Sequence, residues 1–324
     1  MLDRPTIDDC TAAARAIEGR VHRTPTFTSH SLGAQIGRDV VLKAELFQRT
    51  GSFKLRGATN RVAAMNPQER TAGVVTVSAG NHAQASALAC AEAGLDAVVF
   101  MPRAASAAKV AATRGYGATV DLDSADGAEA FVRMREFAAR TGRFVLHPFD
   151  DPLVVAGQGT VGVEICADVP SPGAVLVPAS GGGLLAGVAI AVKALAPNAR
   201  VIAVQPAATA TLAASEHEAR PAETIGPPSA TIADALTAPA LGELNARVAA
   251  ELVDEVVHLS EEEIREAVRF LYARAKLACE PGAAVGVGAL LAGRVADLGS
   301  GPVVAVVSGG NVTPALAAEL LAPA

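Results

Sequence analysis

The feature that most constrains the fold of this chain is a repeated alternation of short β-branched runs with alanine-rich segments. The apolar runs predict strands at 39–46, 73–78, 96–101, 118–122, 174–179, 201–205 and 303–308. The segments between them predict helices, most clearly at 81–94, 124–141 and 183–195. Because the runs are apolar along their whole length, we expect parallel sheets covered by helices on both faces. The pattern therefore predicts an α/β, doubly wound architecture.

The composition excludes several classes of protein. A chain of 324 residues can form one large domain or two of ordinary size. Its net charge of −6 includes no basic block, which argues against a nucleic-acid partner. No apolar run approaches the roughly 20 residues that cross a bilayer, so no membrane partner is expected. The N-terminus lacks a signal-peptide core, and the four cysteines lack metal-ligand spacing. We therefore expect a cytoplasmic protein with reduced thiols.

Three predicted strand ends are followed by small residues, in "VTVSAGNHAQ", "LVPASGGGLLAG" and "VVSGGNVTPA". In doubly wound sheets, ligands bind at the carboxyl ends of the strands. Free backbone N–H groups and the helix dipole make each strand-to-helix turn a potential anion site. One such turn has a purely steric explanation. Three of them indicate a ligand with more than one anionic group.

The consecutive glycines Gly181, Gly182 and Gly183 follow a predicted strand and begin a predicted helix. Lacking Cβ atoms, they would let the backbone wrap around a phosphate, although a turn required only by packing also explains them. The pattern "GQGTVG" at 157–162 matches a dinucleotide motif, but no acidic residue lies about 20 positions further on. We interpret this match as accidental. A nicotinamide-dependent oxidoreductase is thus supported only by the fold and a weak motif.

The segment "RTGSFKLRGA", residues 49–58, surrounds Lys54 with small and hydroxyl-bearing residues. A solvated helix start would explain this lysine, and so would a chemically reactive amine. Other residues that could carry chemistry have structural explanations. His147 and His258 resemble hydrogen-bonded structural histidines, and His82 fits a helix start better than a general base. The run 260–263, "SEEE", is typical of a helix N-cap followed by acids in the first turn.

Taken together, the segments resemble the fold-type II pyridoxal 5'-phosphate (PLP) enzymes, specifically the serine/threonine dehydratase and serine racemase family. The resemblance runs nearly end to end, and its most specific parts are the lysine segment and the two glycine segments. The matching segments occur in the family's order: "RVHRTPTFTS", "KAELFQRTGSFKLRGA", "SAGNHAQA", "AGQGT", "SGGGLLAG", "TIADA", "EPGAAVGVGA" and "SGGNV". The fold implied is the tryptophan synthase β-subunit-like one, with two doubly wound domains.

The resemblance also implies roles for individual residues. Lys54 would bind PLP covalently as a Schiff base, with Phe53 against the cofactor ring. Asn81 would donate a hydrogen bond to the phenolic oxygen. The phosphate would be held by Ser180, Gly181, Gly182, Gly183 and Leu184. The substrate carboxylate would be bound at a helix N-terminus by Ser78 and by the amides of Ala79, Gly80, Asn81 and His82.

Two further residues would contact the cofactor. By resemblance Ser308 faces the pyridine nitrogen, where a hydroxyl leaves the nitrogen neutral and a carboxylate would keep it protonated. The resulting weaker electron sink should favour loss of a β-hydroxyl over transamination. Glu280, in "EPGAA", would line the same end of the pocket. A helix-capping role explains Glu280 equally well.

The activity implied is that of a carbon–oxygen lyase that acts on a small β-hydroxy amino acid. The freed amine of Lys54 would remove the Cα proton, and the β-hydroxyl would leave. The enamine product would hydrolyse to ammonia and a 2-oxo acid, 2-oxobutanoate from L-threonine or pyruvate from L-serine. Within the family, a serine racemase or a hydroxyaspartate-type dehydratase is the alternative. The sequence does not say which β-hydroxy amino acid is preferred.

The sequence departs from the family's patterns at three places. Racemases carry a second serine where this chain has Ala79, which favours dehydration. Cation-dependent members place carboxylates where this chain has Gln205, Thr209 and Thr211, so no metal is expected. Some family members add a regulatory C-terminal domain, and this chain is expected to lack one because it stops soon after "SGGNV".

The resemblance further predicts how the domains are arranged. Residues 1–50 and 147–324 would form a large cofactor-binding domain, and residues 51–146 a smaller, mobile one. The active site would lie between them, and closure would exclude water. The stretch 206–232, with scattered Pro and Gly, is expected to decorate the surface. A homodimer is the expected assembly.

Overall fold

The computed structural model describes residues 3–212 and 231–322. Within these ranges the strands belong to two sheets, one of six strands and one of four. The strands are β1 Thr26–Thr28, β2 Val40–Ala44, β3 Val74–Val77, β4 Ala97–Pro102, β5 Thr119–Ser124, β6 Phe144–Val145, β7 Ala174–Pro178, β8 Arg200–Pro206, β9 Glu255–Leu259 and β10 Val303–Val307.

The helices connect the strands and cover the sheets. They are α1 Ile7–Ala16, α2 His30–Ile36, α3 Lys54–Ala63, α4 Pro67–Ala72, α5 Asn81–Glu92, α6 Ala107–Gly115, α7 Gly127–Thr141, α8 Pro152–Asp168, α9 Gly183–Leu195, α10 Glu243–Leu252, α11 Glu261–Phe270, α12 Pro281–Leu291 and α13 Pro314–Leu321. Short 3₁₀ turns occupy Glu45–Phe47, Ala207–Thr209 and Asp234–Leu236, and a π turn occupies Leu271–Ala275. None of the helices in the described ranges is long and apolar enough to span a bilayer.

Both sheets are essentially parallel, as the apolar runs predict. The larger sheet has the order β1-β2-β10-β7-β8-β9, and only its edge strand β1 runs antiparallel. The smaller sheet, β5-β4-β3-β6, is parallel throughout. All four of its strands lie between residues 74 and 145. The proposed domain boundaries and the mobility of the smaller domain stay predictions.

Each sheet is buried on both faces, which explains its continuous apolar strands. Leu176 on β7 packs into a core with α11 and α12, while its neighbours Val175 and Val177 pack into another with α8 and α9. The smaller sheet divides similarly, with Val74 and Val75 of β3 in separate clusters. Successive strand residues point to opposite faces, so both sets must be apolar.

The predicted elements agree with the structure to within about three residues at their ends. Helix α7 begins at Gly127 rather than at residue 124, because the Asp126 side chain caps it and Ser124 still pairs with β4. Strands β1, β6 and β9 were not predicted. The first two have three and two residues, too few to show a period. The run "SEEE" forms the predicted N-cap, with Ser260 and Glu263 in a capping box.

The segment 206–232 is only partly described, because residues 213–230 lie outside the described ranges. The expected surface location is wrong for its first part, since Thr209 to Leu212 are buried. Thr209 Oγ1 donates to the carbonyl of Leu236 at 2.9 Å, which ties this part to the turn Asp234–Leu236.

Glycines let α3, which begins with Lys54, pack closely on α8. A Cβ on Gly57 would lie 2.7 Å from the carbonyl oxygen of Val154, and one on Gly157 would lie 2.6 Å from the Cα of Gly57. The "GQGTVG" segment thus lies inside α8 and not at the end of a strand. Its first glycine serves helix packing, which confirms that the dinucleotide match is accidental.

A buried ionic network also holds α3 in place. The Arg56 guanidinium, fully buried, donates to Glu45 at 2.8 Å and to Glu164 at 2.7 Å. Lys43, also fully buried, donates to Glu164 at 2.6 Å. Burial disfavours the charged guanidinium, but Glu45 and Glu164 more than offset this and raise the pKa of Arg56. The network fixes α3 against β2 and α8 two residues from Lys54.

Candidate active site

A cavity of about 720 Å³ lies where the carboxyl ends of β3, β7 and β10 meet, between the two sheets. Its size suits a small organic ligand. The residues expected at the cofactor and substrate all line it: Phe53, Lys54, Ser78, Ala79, Gly80, Asn81, His82, Ser180, Gly181, Gly182, Gly183, Leu184, Glu280 and Ser308. A second cavity, of about 530 Å³, lies at the amino ends of β2 and β10 and contains none of them.

Lys54 is the first residue of α3 and projects into the larger cavity. Its Nζ donates to the carbonyl of Pro148 at 2.7 Å and lies 5.3 Å from the centre of the Phe53 ring. Burial lowers the pKa of Lys54 to about 8, although the charge of Glu280 opposes the shift. About a tenth of the amine is then neutral at pH 7, against about three in ten thousand for an ordinary lysine. The neutral form is the nucleophile, which favours the reactive-amine interpretation over a solvated helix start.

The glycine loop joins β7 to α9 under strong steric constraint. Gly182 has φ +89°, a left-handed conformation, and a Cβ there would lie 2.5 Å from Leu241 Cδ1. A Cβ on Gly181 would clash with the Phe149 ring, so packing alone already requires glycine. The first-turn N–H groups of α9 have no partners within the helix and lie at its positive end. The loop therefore suits an anion as well. Packing and phosphate binding both explain why the same residues are glycines.

Two hydrogen bonds that the sequence did not predict hold this loop. Asn245 Nδ2 donates to the carbonyl of Gly181 at 2.7 Å. Ser180 Oγ accepts from the amide of Ala238 at 2.9 Å, which links the loop to the segment after the turn Asp234–Leu236. No sequence signal marks Asn245, because its role depends on a contact between distant elements.

Glu280 occupies the N-cap position of α12, but its carboxylate does not cap the helix. Glu280 Oε1 instead accepts from Asn81 Nδ2 at 2.6 Å, at the edge of the cavity. Burial and then the charge of Asp234 raise the pKa of Glu280 to about 7, and the hydrogen bond from Asn81 opposes this. Asn81 Oδ1 in turn accepts from Asn311 Nδ2 at 2.8 Å. Of the two explanations for Glu280, the geometry favours the cavity.

The substrate-side residues form the turn between β3 and α5. Ser78 Oγ accepts from the amide of Gly80 at 3.1 Å, and α5 begins at Asn81. The N-terminus of α5 is therefore at the cavity, where its dipole favours an anion. Ser308 follows β10, and its carbonyl accepts from the amide of Phe53 at 3.1 Å, next to Lys54.

The histidines near the cavity have structural roles, as predicted. His82 is buried, with Nε2 3.1 Å from Thr76 Oγ1 and 3.2 Å from the carbonyl of Leu146. Burial, and next the charge of Lys54, lower the pKa of His82 to about 3, so the ring is neutral. His147 Nδ1 accepts from the amide of Asp150 at 2.8 Å. His258 lies on β9, away from the cavity.

The residues at the positions of a possible cation site are hydrogen bonded to each other and to the backbone. Gln205 Nε2 donates to Thr211 Oγ1 at 3.1 Å and to the carbonyl of Ala179 at 3.3 Å. Thr211 Oγ1 donates to the carbonyl of Ser180 at 3.3 Å. Within residues 3–212 and 231–322, no group of three His, Cys, Asp or Glu side chains could hold a metal.

We expect chelation by EDTA to change the activity little. Oxygen-rich cation sites owe most of their affinity to carboxylates, and Gln205 and Thr211 provide none. The measurement is the initial rate after dialysis against EDTA, compared with dialysis against buffer alone. Loss of most activity that magnesium or calcium restores would contradict this expectation.

Comparisons with known proteins agree with this geometry. The model of the family described as pyridoxal-phosphate dependent enzyme matches residues 17–309. An L-threonine ammonia-lyase from Thermotoga maritima is 41% identical over 307 residues, which cover 95% of this chain and 76% of that protein. The solved structure of a threonine deaminase from T.th. is 40% identical with a TM-score of 0.88, and covers 95% of this chain and 99% of that one. Maize serine racemase is 36% identical with a TM-score of 0.91, and covers 97% of this chain and 95% of that one.

Proposed function

Since the chain belongs to the pyridoxal-phosphate dependent enzyme family, we propose that it converts L-threonine, L-serine or both to a 2-oxo acid and ammonia. The names of its threonine ammonia-lyase and threonine deaminase relatives support this activity. One observation carries the proposal: Lys54, with its lowered pKa, shares a cavity with the glycine loop and the N-terminus of α5. The cavity thus combines an amine that is more readily deprotonated than an ordinary lysine with two potential anion sites, as an amino acid and a phosphate-bearing cofactor require.

The cavity residues fit the cofactor. The loop of Gly181 to Gly183 leaves no room for side chains, so its backbone can approach a phosphate closely. PLP, when bound, withdraws electrons from the substrate's Cα so that its proton can leave. In our proposal Phe53 would pack against the ring, Asn81 would donate to the phenolic oxygen, and Leu184 would complete the loop. Glu280 and the uncharged Ser308, which also line the cavity, would hold the same end of the cofactor.

The remaining chemistry belongs to the chain itself. In our proposal the N-terminus of α5, with Ser78 and the amides of 79–82, binds and orients the substrate carboxylate. The Nζ of Lys54 accepts the proton from Cα, which its lowered pKa permits near neutral pH. The β-hydroxyl leaves as water. One water molecule later hydrolyses the enamine product to the 2-oxo acid and ammonia.

A substrate screen tests the proposal. Purified protein loaded with PLP should release ammonia from L-threonine or L-serine, with one equivalent of 2-oxobutanoate or pyruvate. D-serine serves as the matched control for L-serine, because it carries the same amine and hydroxyl but its Cα proton lies on the other face. Absence of oxo acid from both L-amino acids would contradict the proposal.

The residue at position 79 separates dehydration from the racemase alternative, which the similarity to maize serine racemase keeps open. Inversion at Cα needs a proton-carrying group on each face, and the methyl of Ala79 carries none. We expect L-serine to give pyruvate with negligible D-serine, and Ala79→Ser to introduce weak racemisation. Chiral chromatography measures both products. D-serine formed as fast as pyruvate by the unmodified enzyme would contradict the dehydratase assignment.

We also propose a cytoplasmic homodimer. All four cysteines are free, three of them buried, which suits a reducing compartment. Phe27 on the edge strand β1 stacks edge-to-face on Phe47, and both are more than 40% exposed. Exposed aromatic pairs of this kind are enriched at interfaces.

A further inference from the structure

Lys109 and Asp234 form an ion pair that joins two walls of the cavity. Lys109 Nζ lies 2.5 Å from Asp234 Oδ2, and both residues line the cavity. Lys109 belongs to α6, which follows β4 of the smaller sheet, while Asp234 begins a turn tied to the larger sheet. The pair therefore joins the two walls of the cavity on the side open to solvent, where the Asp234 side chain is 53% exposed.

Both partners are held in position by their surroundings. Lys109 lies in the first turn of α6 and lines the cavity, as do Ala105 and Ser106 just before the helix. On the other wall, Thr237 Oγ1 donates to the carbonyl of Asp234 at 2.8 Å and closes the turn. Ala238, one residue on, donates to Ser180 of the glycine loop. The ion pair is thus part of the cavity wall.

The pair determines which charged groups of the cavity are available to bind a substrate side chain. In the described part of the chain, the Lys, Arg, Asp and Glu side chains that line the cavity are those of Lys54, Lys109, Asp234 and Glu280. Lys54 is assigned to the cofactor, and among the described residues no arginine lines the cavity to clamp a carboxylate. Of the described lysines and arginines that line it, Lys109 is the one that remains, and Asp234 already pairs with it. A negatively charged substrate side chain would have to break this pair and approach Glu280.

We propose that the Lys109–Asp234 pair selects substrates whose β-carbon carries no charged group. This inference rests on the proposed dehydratase function and adds its side-chain specificity. Serine carries hydrogen on its β-carbon and threonine a methyl group, whereas 3-hydroxyaspartate carries a carboxylate. Without the Asp234 carboxylate, Lys109 Nζ is free to bind that group. The reaction would be the same β-elimination: 3-hydroxyaspartate loses its β-hydroxyl and Cα proton as water, and hydrolysis then gives oxaloacetate and ammonia.

The test compares kcat/KM for L-threonine and L-3-hydroxyaspartate in the PLP-loaded enzyme. The unmodified enzyme should strongly prefer L-threonine. Asp234→Asn keeps the size of the side chain and removes its charge, and should shift the ratio toward 3-hydroxyaspartate by about tenfold or more. Adding Lys109→Gln to this variant should abolish the shift, because the gain depends on the freed amine.

A control variant removes a similar carboxylate elsewhere. Asp96 pairs with Arg143, and the two side chains are 63% and 17% exposed, close to the 53% and 19% of Asp234 and Lys109. Asp96 precedes β4, at the end of the strand opposite the cavity. Asp96→Asn should therefore leave the substrate ratio unchanged.

A binding measurement gives a readout that does not depend on turnover. Calorimetry on the PLP-loaded protein should show Asp234→Asn strengthening the binding of L-aspartate relative to L-alanine, again only while Lys109 is present. If the unmodified enzyme turned over neither L-threonine nor L-serine, the proposed function would fail while this comparison still tested the ion pair. Comparable kcat/KM for threonine and 3-hydroxyaspartate in the unmodified enzyme would overturn the inference. So would an unchanged ratio in Asp234→Asn, or a shift that persists without Lys109.

Discussion

Replacing Lys54 by alanine is expected to reduce turnover roughly a thousandfold or more and to remove the visible absorption of the lysine-linked cofactor. Lys54 alone among the lysines combines a cavity position with the "GSFKLRGA" context and a pKa lowered to about 8. The alanine variant lacks both the nucleophile and the group that accepts the Cα proton. Initial rates with L-threonine and the absorption spectrum measure the two effects.

Substitution of a second lysine, outside the cavity, serves as a control that separates the loss of catalysis from the loss of structure. Lys193 lies near the end of α9 and pairs with Asp254 at 2.7 Å, away from the cavity. Lys193→Ala should keep both the absorption and most of the activity. The fold of Lys54→Ala should persist, because the buried network around Arg56 still holds α3. An active Lys54→Ala enzyme would show that another group does the chemistry.

Replacing Gly182 by aspartate should weaken cofactor binding by more than the ~1 kcal/mol that is typical of a point substitution. The left-handed backbone at φ +89° disfavours any side chain, and a Cβ would lie 2.7 Å from the Cβ of Asn245. The added carboxylate would also repel the dianionic phosphate of the cofactor. Retention of PLP after dialysis, followed by absorption, measures the loss.

Two control variants separate the effect of backbone strain at Gly182 from the effect of the added charge. Gly182→Ala introduces the backbone strain without the charge and should give an intermediate loss. Gly127→Asp adds the same side chain in open space at the first turn of α7, where an acid is favourable. It should retain the cofactor fully. Unchanged retention in Gly182→Asp would mean that the phosphate binds elsewhere.

The sequence predicted the fold well because the strands are buried on both faces. Their apolar runs are continuous, and the helices between them are long and rich in alanine. The alternation of strands and helices is therefore clear in the sequence. The short strands β1 and β6 carry no such signal. The motif match at 157–162 was correctly interpreted as accidental, but the packing role of its first glycine was not predicted, because it depends on the contact between Gly57 and Gly157.

Residues of the cavity were predictable from the sequence where a strand-to-helix turn has a local signature, and not where a contact joins distant elements. The turn after β3 and the glycine loop have local signatures, and both line the cavity. Asn245 and Lys109 act through contacts with residues more than 60 positions away, so no local pattern marks them. Asn311 lies in the quoted "SGGNV" segment, but its hydrogen bond to Asn81 is also a contact between distant elements. Asp234 lies in the quoted "TIADA" segment, but its meaning depends on Lys109 across the cavity.

The most direct test of the central claim is the location of the cofactor on the chain. The PLP-loaded protein would be reduced with borohydride, digested, and mapped by mass spectrometry for the pyridoxyl mass. A single modification on Lys54 is the result that this account predicts. Modification of Lys43, Lys109, Lys193 or Lys276 instead of Lys54, or of no lysine at all, would contradict it.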